Sequence, residues 1–124
     1  MRILLFSITL FLFACTGVSQ NAEITKELKG PKAFQEQMDA TEDFYLIDVR
    51  TPQEYQQGHI DGALNYNIMG DEFENQIAAL DPNKVVFVYC AVGGRSARAA
   101  NYLEEKGFKF IIDLKGGMKA WNAQ

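Results

Sequence analysis

The sequence has few of the residues that build metal centres and disulfide frameworks. It contains two cysteines, Cys15 and Cys90, and a single histidine, His59. No group of Cys, His, Asp or Glu residues has the spacing of metal ligands, so we expect neither a metal nor any other cofactor. Because 48% of the residues are hydrophobic, the chain can bury an apolar core, as ordinary globular domains do.

An excess of positive charge is also missing. The chain has 12 Lys and Arg residues against 16 Asp and Glu residues, which gives a formal net charge of -4. Without a basic block, a protein cannot neutralise the phosphates of a nucleic acid. We therefore expect small molecules or proteins as partners, and no nucleic acid.

No apolar run is long enough to cross a membrane as a helix. The longest run, residues 3–14, has twelve residues, whereas a spanning helix needs about 20. Met1 and Arg2 place a positive charge before this run, as in an export signal. The run ends at Leu-Phe-Ala-Cys15, which resembles the lipobox of bacterial lipoprotein signal peptides, where cleavage precedes the cysteine and the cysteine receives lipid.

This resemblance predicts a signal peptide at residues 1–14, a lipid-anchored tether at 15–23 and lipidation of Cys15. The protein is then exported and attached to a bacterial membrane, as a periplasmic or cell-surface lipoprotein. A plain secretory signal and an uncleaved anchor are the alternatives. If Cys15 is removed or lipidated, Cys90 has no intramolecular disulfide partner, and a free thiol in an oxidising compartment is either buried or used.

The remaining residues, 24–124, are predicted to form one α/β domain, because short apolar runs alternate with segments of helical period. Continuous apolar runs of this kind are typical of strands buried on both faces of a parallel sheet. The strand candidates are residues 44–49, 85–89, 110–112 and, more weakly, 63–66 and 24–28. Helical spacing relates Phe34 to Met38, links Phe73, Ile77 and Leu80, and extends from Ser96 to Leu103.

The segment after the run at 85–89 combines a cysteine with a turn that favours anions. It reads Cys90-Ala91-Val92-Gly93-Gly94-Arg95-Ser96, and a helix is expected to begin near Arg95. The two glycines let the backbone curl so that successive N–H groups point at one centre. Together with the helix N-terminus and the Arg95 charge, these groups favour a thiolate; comparable settings lower a thiol pKa from about 8.5 to roughly 3.5 to 7.5.

Cys90 is therefore the candidate nucleophile, and this setting does not require a general base. A Cys/His pair with His59 stays open from the sequence alone. The alternative for Cys90 is a buried, inert cysteine at the end of a strand, as isolated cysteines often are. We favour the nucleophile because the glycine pair and Arg95 follow it so closely.

Four sequence motifs together resemble the rhodanese domains. The pattern Cys-x-x-Gly-x-Arg-Ser at residues 90–96 looks like the active-site loop of that family. The other motifs are Leu46-Ile-Asp-Val-Arg50 followed by Glu54-Tyr55, then Gly58-His-Ile-Asp-Gly-Ala63 with Asn65, and finally Leu114-Lys-Gly-Gly-Met-Lys-Ala-Trp121. The resemblance implies a three-layer α/β/α rhodanese-like fold with a five-stranded, mainly parallel sheet.

The resemblance also implies a sulfurtransferase in which Cys90 cycles between a thiolate and a persulfide. The donor is thiosulfate or a persulfide or polysulfide, and the acceptor is a thiol, cyanide or a protein. The amides of Ala91, Val92, Gly93, Gly94, Arg95 and Ser96 are expected to hold the negative charge. Arg95 has two open roles: bonding loop carbonyls or a carboxylate, or contacting substrate. Asp48 and Arg50 are expected to support the site, mainly as architecture, with Arg50 reaching towards the pocket mouth.

Two other functions remain as alternatives on this fold. One is a module that binds sulfane sulfur or docks a partner without turnover. The other is phosphatase or arsenate chemistry, which the six-residue loop from Cys90 to Arg95 disfavours, since the family relative with phosphatase activity carries a longer one. Ala91 and Val92 stand where many relatives carry polar residues, which keeps persulfide, polysulfide and protein donors open beside thiosulfate. We expect the protein to be a monomer.

Overall fold

The computed structural model describes residues 23–124. The predicted signal peptide and the predicted lipidation site, Cys15, lie outside the described residues, as does all of the predicted tether except Glu23. Between residues 23 and 124, no helix is both long enough and apolar enough to cross a membrane.

Strands and helices alternate along the whole described chain, as the apolar runs predict. The strands are β1 Thr25–Lys29, β2 Phe44–Asp48, β3 Leu64–Asn65, β4 Val85–Tyr89 and β5 Phe110–Leu114. The helices are α1 Pro31–Asp39, α2 Pro52–Gln56, α3 Phe73–Ala78, α4 Gly94–Glu105 and α5 Gly117–Asn122. The strands form one sheet in the order β1-β5-β4-β2-β3, and every pair within it is parallel. The predicted five-stranded α/β fold is confirmed.

Two apolar clusters, one on each face of the sheet, make the fold three layers deep. Alternate residues of a strand point to opposite faces, so Val86 and Val88 of β4 pack in the cluster with α3 and α4. Phe87 and Tyr89 pack in the other cluster, with α1 and α5. All four side chains are fully buried. This makes β4 the central strand of the sheet, and the residue that follows it lies at the carboxyl edge of that strand.

The element ends follow local sequence signals in most places. Helix α4 ends as its glycine predicts: Gly107 has a φ of +85°, and the Phe108 N–H donates to the Leu103 carbonyl at 3.1 Å. Strand β5 is longer than the apolar run that predicts it. It continues past Ile112 to Leu114, because a buried carboxylate, Asp113, interrupts the apolar pattern without ending the strand.

We expect the free energy of unfolding to depend strongly on the side chain of Phe87. Its ring packs edge-on against Phe34 at 5.2 Å and against Phe44 at 5.1 Å between ring centroids. Phe87→Ala leaves a cavity at the centre of the sheet, so we expect the free energy of unfolding to fall by about 3 to 5 kcal/mol. Urea denaturation followed by circular dichroism measures this change.

The matched control is Phe110→Ala in β5, because Phe110 is 43% exposed. We expect this variant to lose much less stability, since nearly half of the residue's surface already faces water. Equal losses in the two variants would contradict the assignment of Phe87 to the core.

Candidate active site

Cys90 is the first residue after β4 and lies at the carboxyl edge of the sheet, where open α/β folds bind ligands. Its side chain is buried, with 1% of its surface exposed. The chain then turns through Ala91, Val92 and Gly93 before α4 begins at Gly94. The turn depends on Gly93, whose φ of +116° is a left-handed conformation that other residues rarely adopt.

The sulfur of Cys90 is surrounded by hydrogen-bonding groups of this turn. The Gly93 N–H donates to Sγ at 3.1 Å, and the N–H groups of Val92 and Ser96 also favour the charged form of the sulfur. The Cys90 thiol donates to the Ser96 hydroxyl oxygen at 3.4 Å, and the Ser96 hydroxyl donates to the Gly93 carbonyl at 3.2 Å. Ser96 is fully buried, so this hydroxyl is held inside the turn.

Burial and hydrogen bonding act in opposite directions on the pKa of Cys90. Burial raises the pKa, because it removes water from the charged form of the sulfur. Hydrogen bonds from the Ser96 side chain and from the N–H groups of Ser96, Gly93 and Val92 favour the thiolate. They outweigh burial, so the pKa of Cys90 lies below its ordinary value. The turn can therefore hold an ionised sulfur without a neighbouring base.

His59 stacks on and hydrogen-bonds with Tyr55. Its ring stacks on Tyr55, with 3.7 Å between ring centroids, and its Nδ1 lies 2.9 Å from the Tyr55 carbonyl oxygen. Among the described residues, no hydrogen bond joins His59 to Cys90. The Cys/His pair that the sequence left open is therefore not formed.

Arg95 is bound to a carboxylate, which is one of the roles the sequence left open. Its Nη1 and Nη2 donate to the two Glu54 carboxylate oxygens at 2.7 and 2.9 Å. The hydrogen bond from Arg95 outweighs the effect of burial and, with help from Thr51, lowers the pKa of Glu54 to about 2. Glu54 also closes the N-terminus of α2 through a capping box with Thr51. This pair therefore ties the start of α4 to the start of α2.

Asp48 and Arg50 form a second ion pair, which is almost completely buried. The Arg50 Nη2 donates to Asp48 Oδ2 at 2.7 Å and to the Gly58 carbonyl at 2.7 Å. Both Nε and the backbone N–H of Arg50 also donate to Asp48. Neither side chain forms a hydrogen bond with the Cys90 sulfur. Arg50 does border a surface cavity of about 470 Å³, which Trp121 also lines, so the pair braces the β2 end of the site.

Helix α5 holds the Cys90 loop from outside. The Met118 N–H donates to the Cys90 carbonyl at 2.8 Å, and the Lys119 N–H donates to the Ala91 carbonyl at 3.1 Å. The two backbones approach so closely that only glycine fits at position 117. A Cβ on Gly117 would lie 2.6 Å from the Ala91 carbonyl oxygen and closer still to that of Cys90.

Sequence reasoning missed two residues of this neighbourhood. Glu54 belongs to a motif, but nothing in the motif identifies its partner, Arg95, which lies 41 residues away. Asp113 is the other: it is only 6% exposed, and burial raises the pKa of its carboxyl to about 6, against the opposing effect of the nearby Ser96 side chain. A lone carboxylate within the apolar run Phe-Ile-Ile-Asp-Leu is a signal that could have identified it.

Comparison with known proteins gives one consistent family. A model of the rhodanese-like domain family matches residues 30–124. The chain is 35% identical over 86 residues to the thiosulfate sulfurtransferase GlpE of Shewanella oneidensis, which covers 69% of this chain and 83% of that protein. It is 31% identical over 106 residues to YrkF of Bacillus subtilis. That match covers 86% of this chain but only 56% of YrkF, so the chain spans about half of that longer relative.

Solved structures agree with the sequence matches. The solution structure of the polysulfide-sulfur transferase homodimer of Wolinella succinogenes superposes with a TM-score of 0.65 and 31% identity. The superposition covers 79% of this chain and 74% of that one. At 31% identity, the two chains resemble one another in sequence as well as in fold.

Gly117→Ala is the substitution we expect to disturb the loop most directly. The new methyl group clashes with two loop carbonyls, and the φ of +58° is strained for alanine. We expect a loss of more than about 2 kcal/mol in the free energy of unfolding and a higher pKa for Cys90, because the displaced amides no longer face the sulfur. Urea denaturation and the pH dependence of Cys90 alkylation measure the two effects.

Gly94→Ala is the control in the same loop. A Cβ at Gly94 meets nothing within 4 Å, and the residue begins a helix, where alanine is favoured. We expect stability and Cys90 ionisation to stay close to those of the unchanged protein. A loss in Gly94→Ala as large as that in Gly117→Ala would show that the close approach of α5 is not the cause.

Proposed function

The chain belongs to the rhodanese-like domain family, and from this premise we propose that it is a sulfurtransferase that carries sulfur on Cys90 as a persulfide. The observation that carries the proposal is the setting of the Cys90 sulfur. The residue is buried, its sulfur accepts a hydrogen bond from the Gly93 N–H, and its pKa lies below the ordinary value for a thiol. A merely structural cysteine has no need of such amides. The sulfurtransferase relative at 35% identity supports the same reaction class.

The first half-reaction forms the persulfide. The Cys90 thiolate attacks the outer sulfur of the donor, a new S–S bond forms at Cys90, and the donor's own bond to that sulfur breaks. With thiosulfate, the leaving group is sulfite, which departs with the electron pair of the broken bond. Covalent capture of this kind divides one difficult transfer into two easier steps.

The second half-reaction returns the enzyme. A nucleophilic acceptor, either cyanide or a thiolate, attacks the outer sulfur of the Cys90 persulfide, and the S–S bond to Cys90 breaks. Cyanide leaves as thiocyanate, a thiol acceptor leaves as a new persulfide, and Cys90 is released as a thiolate. The Gly93 N–H that donates to the sulfur, together with the N–H groups of Val92 and Ser96, stabilises this leaving group as it stabilises the attacking thiolate.

The loop surface supports a wider choice of donors than thiosulfate alone. Val92 is 65% exposed beside the buried sulfur, and an apolar side chain at this position gives no attraction to a small dianion. The Wolinella relative is a polysulfide-sulfur transferase, whereas the Shewanella relative is a thiosulfate sulfurtransferase. We include persulfides and polysulfides as donors, and a small thiol or a protein thiol as acceptor.

Cys90→Ser is the variant that tests the reaction. We expect sulfur transfer from thiosulfate or polysulfide, to cyanide or to a dithiol, to fall to the background rate, because a serine hydroxyl cannot form the persulfide. Intact-mass measurement after exposure to donor should show a gain of one sulfur in the unchanged protein and none in the variant. Full turnover by Cys90→Ser, or a gain of sulfur at another residue, would refute the proposal.

We also propose that the protein is an exported lipoprotein, on the basis of the apolar run and Leu-Phe-Ala-Cys15. Expression in a bacterial host should yield a membrane-bound protein whose mature N-terminus is acylated Cys15. Cys15→Ser should prevent acylation, so that the protein leaves the membrane fraction while the Cys90 reaction is retained. Mass spectrometry of the N-terminal peptide tests this, and an unmodified Met1 in the membrane-bound protein would contradict it.

A further inference from the structure

Two lysines flank the glycine pair that brings α5 against the Cys90 loop. Lys115 directly follows β5, and Lys119 lies in α5. The Lys119 N–H donates to the Ala91 carbonyl at 3.1 Å. Lys115 lines a cavity of about 420 Å³ together with Gly93, whose N–H donates to the sulfur. Both lysines are exposed, so each places a positive charge in solvent beside the loop that holds the reactive sulfur.

The other cations of this neighbourhood are compensated by carboxylates. Arg50 and Arg95 are paired with carboxylates at 2.7 Å, and Lys26, which lines the same cavity, is paired with a glutamate of α4. Within the described part of the chain, neither Lys115 nor Lys119 takes part in an ion pair. Their charges are therefore available to ions that approach from solution.

Two acidic residues also line the cavity, Glu27 and Asp113. The Glu27 carboxylate lies 3.1 Å from the Nζ of Lys29, so that lysine already compensates it. Asp113 is buried, and its single charge opposes those of Lys115 and Lys119. Because the two lysines outnumber this one uncompensated carboxylate, a positive charge remains beside the loop.

The proposed reaction brings together two negatively charged groups. The Cys90 thiolate and a thiosulfate dianion repel each other. The N–H groups around the sulfur are dipoles without net charge, and the exposed side chain of Val92 is apolar, so neither draws an anion from a distance. Charges around the mouth of a reactive site do, and they raise association rates with oppositely charged substrates by about 10- to 1,000-fold at low ionic strength.

We propose that Lys115 and Lys119 attract anionic sulfur donors to Cys90, and that they thereby select thiosulfate and polysulfide anions over donors that carry less negative charge. The inference deepens the proposed function and rests on it for the nature of the donor. The attraction itself acts on any anion that approaches the sulfur, so it is measurable without sulfur transfer.

The size of the effect follows from Coulomb's law and from screening. In water, a positive charge about 10 Å away raises the local concentration of a monoanion about twofold. Two lysines therefore contribute about fourfold for a monoanion and, because the factor is squared, about 16-fold for a dianion. The Debye length falls from about 30 Å at 0.01 M salt to about 3 Å at 1 M, so the preference should disappear at high salt.

The first experiment compares alkylation of Cys90 by iodoacetate, a monoanion, and by iodoacetamide, which is neutral. Both rates are measured at one pH in the full chain, on the Cys90 peptide, by mass spectrometry. At about 0.01 M salt, we expect the double variant Lys115→Gln/Lys119→Gln to react about fourfold more slowly with iodoacetate, relative to iodoacetamide. The neutral reagent corrects for any change in the ionisation or access of the sulfur.

Lys109→Gln is the matched control, because Lys109 and Lys115 flank β5 at its opposite ends. At about 3.3 Å per residue, the strand separates the two lysines by about 20 Å, and Lys109 likewise has no ion pair among the described residues. We expect this variant to change the ratio by less than about 1.5-fold and Lys115→Gln alone to change it about twofold. Unfolding curves confirm that each variant is folded.

Three results of the alkylation experiment would overturn the proposal. They are an unchanged ratio in the double variant, a fall in Lys109→Gln as large as that in Lys115→Gln, and a preference for iodoacetate that persists at about 1 M salt.

A pair of donors tests the consequence for sulfur transfer. Thiosulfate is a dianion, and methanethiosulfonate, in which a methyl group replaces one charged oxygen, is a monoanion. With either donor, the outer sulfur bonds to Cys90 and the donor's S–S bond breaks, so that sulfite or methanesulfinate leaves with the electron pair. We expect kcat/KM of the double variant to fall about 16-fold for thiosulfate and about fourfold for methanethiosulfonate at low salt. Equal falls for the two donors would contradict selection by charge.

Failure of this inference is distinguishable from failure of the proposed function. The alkylation ratio reports the charge beside the sulfur alone, so it stands even if no sulfur is transferred. Conversely, Cys90-dependent transfer with the same donor preference in the unchanged protein and in the double variant would leave the sulfurtransferase intact and remove the two lysines from the choice of donor.

Discussion

The whole site depends on the direction in which the peptide groups after Cys90 are turned. The carbonyls of Cys90 and Ala91 accept hydrogen bonds from the N–H groups of Met118 and Lys119 in α5. The N–H and C=O of one planar peptide point in opposite directions, so fixing these two carbonyls outside the loop turns the N–H groups of Ala91 and Val92 inward. The Gly93 N–H, which donates to the Cys90 sulfur, belongs to the next peptide. The anion site at the sulfur is therefore completed by the last helix of the chain, and the close approach at Gly117 is what allows it.

Neutral dipoles, and not a free cation, stabilise the sulfur in this arrangement. Arg95 is already paired with Glu54, and Arg50 is already paired with Asp48. A thiolate at Cys90 therefore relies on backbone N–H groups and on the Ser96 hydroxyl, which cost little reorganisation when the sulfur changes its charge. This matters for a group that alternates between thiolate and persulfide, because neither form requires an ion pair to be broken and reformed.

The sequence predicts those parts of the structure that depend on neighbouring residues. Strands β2 and β4, the turn at Gly93 and the start of α4 near Arg95 all follow from local patterns, and so does the placement of Cys90 at the sheet edge. The partner of Arg95 does not, because Glu54 is 41 residues away and only tertiary packing joins them. The hydrogen bonds between α5 and the loop are likewise not predicted, because no periodicity within either segment indicates them.

Asp113 shows why the buried residues could not all be predicted from the sequence alone. The two strands that flank β4 each carry an aspartate at or near the carboxyl end: Asp48 is the last residue of β2, and Asp113 is the second-to-last residue of β5. Asp48 is satisfied by a buried guanidinium, whereas Asp113 Oδ1 has no hydrogen-bond partner among the described residues. An apolar residue in β5 would avoid the unpaired oxygen and stabilise the strand.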